Sequence, residues 1–148
     1  MINQTPEQIA RDHIDKQLTA CGWLIQDKNR INLHAGIGIA VREYLTDAGV
    51  ADYVLFVDGK PVGVIEAKRE EEGHRLSTHE SQAEAYALAQ LKYVNNAPLK
   101  YVYESTGEIN RFTDFNDPKP RARQMFSFQR PDTFKEWLSA SKSLRARL

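Results

Sequence analysis

Asp52, Glu66 and Lys68 carry residue types at a spacing that suits phosphoryl chemistry. They fall within ADYVLFVDGKPVGVIEAKRE, residues 51–70. Hard divalent cations prefer carboxylate oxygens, and Mg²⁺ usually keeps several waters beside one or two protein carboxylates. Asp52 and Glu66 are candidates for those ligands, with the Ala67 carbonyl as a third oxygen. A cation held there acidifies a bound water and offsets charge developing on a phosphodiester. Lys68 is placed to orient that water, help deprotonate it or neutralise the phosphate. The same pattern also arises as a salt bridge at the end of a sheet, and spacing alone leaves both readings open.

The elements that must bring these groups together are two β-strands joined by a tight turn. Val54, Leu55, Phe56, Val57, Val62, Val64 and Ile65 make both faces apolar, which predicts a strand pair buried on both sides. Glu66 and Lys68, two apart, share a face, and Ala67 points to the other. A two-residue Asp58-Gly59 turn sets Asp52 opposite Ile65, with Asp52 and Glu66 on opposite faces. A three-residue loop over Asp58, Gly59 and Lys60, or one β-bulge, instead pairs Asp52 with Glu66, Val54 with Val64 and Phe56 with Val62. Only this register gathers the three groups, so an odd loop or a bulge is expected.

Around that hairpin the pattern alternates helices and strands. Residues 5–21 read as a helix with Thr5 and Gln8 as a capping box, Pro6 at its first position and Gly22 as the stop. Ile9, Ile14, Leu18 and Cys21 form its apolar stripe. Glu7 in its first turn suits the helix dipole, and a metal-facing role is the sharper alternative. Gly22–Gln26 and Gly38–Leu45 read as strands, with a turn at Asp47–Gly49. Ser77 to Glu80 caps an alanine-rich helix over 78–92, on which Gln82 and Tyr86 share a face. Leu99–Glu104 and Glu108–Phe112 read as a second hairpin around Ser105-Thr106-Gly107. Residues 113–131 read as irregular, and a short final helix begins near Thr133 with Phe134, Trp137 and Leu138 on its apolar side. The expected class is α/β, a mixed sheet flanked by helices.

Composition excludes several classes. The 148 residues suit one domain with a proper core, and 41% apolar with 27% charged residues is ordinary for a soluble globular chain. One cysteine, Cys21, rules out an internal disulfide and a cysteine-based zinc site. No apolar run reaches membrane length and no secretory pattern opens the chain, so a cytoplasmic location is expected. The net charge is zero, but residues 118–148 carry eight Lys/Arg against two Asp/Glu. That basic end suits either nucleic acid or a solvated terminal helix. The Gly36-Ile37-Gly38 stretch lacks the G-K-[ST] and helix of a phosphate loop. His13, His34, His74 and His79 lack metal-ligand spacing. Tyr93, Tyr101, Tyr103 and Phe112 fit hairpin core packing better than a base-stacking surface.

The stretch REYLTDAGVADYVLFVDGKPVGVIEAKRE, residues 42–70, closely resembles the nuclease domain of type I restriction enzymes. It is similar to the N-terminal part of the restriction (R, motor) subunit, within the PD-(D/E)xK nuclease superfamily. The resemblance extends to the opening helix, Gly22-Trp23, and a Q-x-x-x-Y motif at Gln82 and Tyr86; Ala51 replaces the superfamily's proline. It implies a restriction-endonuclease-like fold, with Asp52 and Glu66 binding Mg²⁺ and Lys68 serving the catalytic water. Gln82 and Tyr86 would support the site or contact DNA, and Glu7 matches the first-helix acid only loosely. The implied reaction is hydrolysis of phosphodiesters in double-stranded DNA, leaving 5′-phosphate and 3′-hydroxyl ends. The implied partners are the specificity and methylation subunits of a restriction complex.

No Walker A loop is present, so ATP would belong to a motor domain outside this chain. On this reading residues 1–130 form the nuclease domain and 131–148 a basic helix or linker toward the motor, the whole being an excised N-terminal fragment. Two alternatives stand beside it: a stand-alone nuclease of the superfamily, Mrr-like or a junction resolvase, and a non-catalytic DNA-binding or docking module of the same fold.

Overall fold

The computed structural model describes residues 5–47, 49–68 and 99–147, without the side chains of Glu7 and residues 141–147. The helix expected over 78–92, with Gln82 and Tyr86, lies outside the described residues, as do Glu70–Glu72, His74, His79 and Tyr93. In chain order the elements are α1 (Pro6–Ala20), β1 (Leu24–Asp27), β2 (Gly38–Thr46), β3 (Gly49–Val57), β4 (Lys60–Ala67), β5 (Tyr101–Ser105), β6 (Asn110–Asp114), β7 (Arg123–Met125) and α2 (Pro131–Arg147). The strands form one seven-stranded sheet in sequence order. The β1/β2 and β4/β5 pairs are parallel and the others antiparallel. This is the mixed α/β sheet expected.

Two apolar layers cover the sheet, which explains the unbroken hydrophobic runs of β3 and β4. On one face Tyr53, Leu55, Val57, Val62 and Ile65 pack with Ile14 and Leu18 of α1 and Phe134 of α2. On the other, Val54, Phe56 and Val64 join Ile39, Val41 and Val102. Such two-sided burial selects β-branched and aromatic residues at successive positions.

The register of the central hairpin follows from one extra residue. Asp58 and Gly59 form a two-residue turn, both at positive φ (51° and 79°), the primed geometry that matches strand twist. The three-residue loop over Asp58–Lys60 is therefore not formed. Leu55 faces Gly63 while Phe56 faces Pro61, leaving Val62 as a β-bulge. Beyond it Val54 faces Val64 and Tyr53 faces Ile65, as the bulged register requires. Phe56 pairs with Pro61 rather than Val62, because the bulge sits inside the strands and not at the turn.

Helix α1 forms the full Thr5–Gln8 capping box and ends before Gly22 at φ 96°. Its core-facing stripe keeps the expected Ile14, Leu18 and Cys21, while Ile9 is exposed and Ala10 is buried in its place. The second hairpin runs two residues later than expected, pairing Ser105 with Asn110 around Thr106–Ile109. Asn110 supplies the local reason: its side chain bonds both Ser105 Oγ and Gln17 of α1. Residues 123–125, expected to be irregular, add β7 at the sheet edge. The last helix starts at Pro131, two residues before Thr133, so Thr133 lies in its first turn. Phe134 is fully buried and stacks on Tyr101 with ring centroids 4.3 Å apart. The stretch expected to lead onward thus begins by closing the core. Tyr103 and Phe112 are packed beneath it.

Candidate active site

The chain's candidate chemistry converges at the end of β3 and β4. With Tyr53 facing Ile65, the next pair outward is Asp52 and Glu66. The Asp52 backbone N–H donates to Glu66 Oε1 (3.4 Å), and the Ala67 N–H donates to Asp52 Oδ2 (2.8 Å). Each carboxylate is thus tied to the strand that carries the other. Lys68 follows immediately, its backbone N–H held by the Ser105 carbonyl at 2.7 Å. Parallel pairing with β5 therefore fixes the chain where the lysine emerges.

Electrostatics mark Glu66 as the unusual group. It is 7% exposed. Burial pushes its carboxyl up, the neighbouring Asp52 charge pushes further, and the Lys68 ammonium draws it back, leaving it at about 8. A proton relieves that repulsion, and so would a cation. Among the described residues no group of three or more His, Cys, Asp or Glu side chains gathers as a metal cage. Two adjoining carboxylates, one of them strained by burial beside the other, nevertheless fit a hard cation that keeps its own waters. Asp52 and Glu66 would hold it. Ala67 contributes its N–H to Asp52 in this arrangement.

Two further residues stand at the site that spacing did not single out. The Arg11 guanidinium of α1 reaches Asp52 Oδ1 (2.6 Å) through one nitrogen and Glu43 Oε1 (3.1 Å) through another. Arg42 faces Tyr53 and Tyr44 faces Ala51, so Glu43 lies across from Asp52. Glu43 also adopts a positive φ of 54°, uncommon for a residue with a side chain. Pairing Thr46 with Gly49 at the β2–β3 turn sets Glu43 against Asp52, whereas Arg11 reaches Asp52 only through the packing of α1 on the sheet. Glu7 begins one turn before Arg11 on α1, and its side chain lies outside the described residues.

Arg11, Glu43 and Asp52 border a cleft of about 300 Å³ between α1 and β1–β3. Its floor is braced by ionic contacts: Arg42 bonds Asp15 (3.2 Å) and Asp27 (2.7 Å). The Tyr53 hydroxyl lies 2.6 Å from Asp15 Oδ1 and 3.2 Å from the Arg11 carbonyl. Burial first, and then the bond to Asp15, raise the Tyr53 phenol far above its ordinary range, so it stays a neutral donor. The helix is thereby fastened to β3 at the residue beside Asp52.

A family model described as the second domain of the type I restriction enzyme EcoKI endonuclease subunit matches residues 26–118. The chain belongs to that family. The matched span contains Asp52, Glu66, Lys68, Gln82 and Tyr86, while Arg11 and α2 fall outside it. The EcoKI endonuclease subunit of Escherichia coli (strain K12) is 40% identical over 74 residues, 43% of this chain and 6% of that protein. Among solved structures, the type IIG restriction endonuclease BpuSI aligns with a TM-score of 0.49 at 20% identity, covering 80% of this chain and 12% of that one. The chain thus spans a small part of either relative's length. Among the described residues no helix is long and apolar enough to cross a membrane.

Proposed function

We propose that this domain is the Mg²⁺-dependent endonuclease module of a type I restriction enzyme R subunit, of the PD-(D/E)xK kind, hydrolysing phosphodiesters of double-stranded DNA. The observation that carries the proposal is the convergence of Asp52 and Glu66 across the bulged hairpin, with Lys68 directly after β4, in a chain of this family.

The residues divide the work by chemistry. Asp52 and Glu66, with the Ala67 carbonyl, would hold Mg²⁺. In the cation-free site the Ala67 N–H and Arg11 hold the two Asp52 oxygens. When bound, the ion lowers the pKa of a water and stabilises charge on the scissile phosphate. Lys68 carries a positive charge beside Glu66, where it orients the attacking water and neutralises a non-bridging phosphate oxygen. Gln82 and Tyr86 support the site or touch DNA. Base-specific readout belongs to a separate specificity subunit, and contacts made by this domain are directed at phosphates. ATP serves the motor of the full subunit.

The test uses the assembled enzyme. Lys68→Ala should abolish DNA cutting while DNA-stimulated ATP hydrolysis stays near wild type. Undiminished cutting by that variant would overturn the nuclease assignment, and loss of both activities would mark the domain as a docking element instead.

A further inference from the structure

One positive charge already sits where a divalent cation would be expected to exert its pull. Arg11 bridges Asp52 and Glu43 with two separate nitrogens, and its Nε is buried with no hydrogen-bond partner. The guanidinium therefore gains its stabilisation here almost entirely from the two carboxylates. Its position is not adjustable at the base, because α1 is tied to β3 through Tyr53 and Asp15 and seats Ile14 and Leu18 in the core. Glu43 is half exposed (50%), whereas Asp52 is only 15% exposed. The two anchors thus differ: Asp52 is enclosed and shared with β4, and Glu43 opens to solvent.

We infer that Arg11 is a built-in counter-ion that competes with the divalent cation for Asp52. The inference rests on the reading of Asp52 and Glu66 as the cation's ligands. With no cation bound, the guanidinium neutralises Asp52 and keeps it aimed. Cation binding places a double positive charge beside that guanidinium, and the two repel. Arg11 then swings away from Asp52 while keeping its bond to Glu43, which serves as the holding position. The site consequently binds cations more weakly than its carboxylates alone would allow. The Nη2 end released from Asp52 also offers a charged N–H donor to a phosphate oxygen. Cation affinity and phosphate engagement are in this way linked through one side chain of the first helix.

The experiment is a titration of the 148-residue chain with Mn²⁺, free ion being followed by electron paramagnetic resonance without DNA. Asp52→Asn should sharply weaken binding, which checks the ligand assignment separately. Arg11→Gln should tighten binding roughly ten-fold, since a like charge a few ångströms from the ion is removed. Arg11→Lys, which keeps the charge, should stay near wild type. A folded Arg11→Gln protein that binds Mn²⁺ no better than wild type overturns the competition while leaving the ligand assignment intact. Wild-type protein that binds no Mn²⁺ overturns both. A second readout needs no variant: the ¹⁵N signals of the Arg11 guanidinium should lose restricted rotation on addition of Mg²⁺. Unchanged signals at saturation would count against the competition.

Discussion

Glu66 shows how a single side chain can carry both fold and chemistry. A carboxyl at about 8 in the folded protein, against an ordinary value of about 4.5, binds its proton more tightly folded than unfolded. Its contribution to stability is complete below the unfolded value and is lost as pH rises through the folded one. The cation-free protein should therefore lose urea stability between about pH 4.5 and about pH 8. Asp52 and Lys68 are the charges that face Glu66, so their substitution should change the slope as well. Glu66→Gln should flatten the profile over that window, with EDTA present throughout. Parallel profiles for the two proteins would show that Glu66 is not the group responsible.

The β3–β4 hairpin is the element that makes the site. Side chains alternate across a strand, so one residue of slippage carries a whole row to the opposite face. The type of turn at Asp58-Gly59 would by itself set Asp52 against Ile65, and the Val62 bulge corrects this by one position. Deleting Val62 should leave the turn intact and move Asp52 away from Glu66. The expected outcome is a protein with native-like circular dichroism that has lost Mn²⁺ binding, together with reduced stability from the missing core side chain. Retained cation binding would mean that the strands re-register around a different bulge. Gly63, next to Val62, lets β5 approach closely: a Cβ there would lie 2.5 Å from the Tyr101 carbonyl oxygen, so a larger residue would push β5 away.

At the scale of the whole molecule, the helices α1 and α2 close one core. Helix α1 and helix α2 pack on the same face of the sheet, where Phe134 touches Trp23, Tyr101, Tyr103 and Phe112. The Trp23 indole donates to the Gln129 carbonyl at 2.9 Å, joining the segment before β1 to the approach of α2. Gly38 completes this joint, since a side chain there would run into the Pro131 ring. Its glycine thus serves packing, consistent with the rejected phosphate loop. Phe134→Ala should cost about 3–5 kcal/mol, as for other buried phenylalanines, measured by urea denaturation. A loss under 1 kcal/mol would indicate that α2 behaves as an appended linker.

Local chemistry was legible directly in the chain. Thr5 with Gln8, Gly22 and Asp58-Gly59 specify caps and a turn through bonds made to near neighbours, and the apolar run of β3 and β4 specifies burial on two faces. The convergence of Asp52 with Glu66 was also inferable, because strand alternation admits only registers differing by whole residues. Where the bulge fell, which flank of α1 turned inward and which charges met Asp52 were decided by tertiary structure. Arg11 and Glu43 lie 32 residues apart, and Arg11 and Asp52 lie 41 apart. No local preference encodes such meetings; they follow from the packing of α1 against the sheet, which only the assembled core can define.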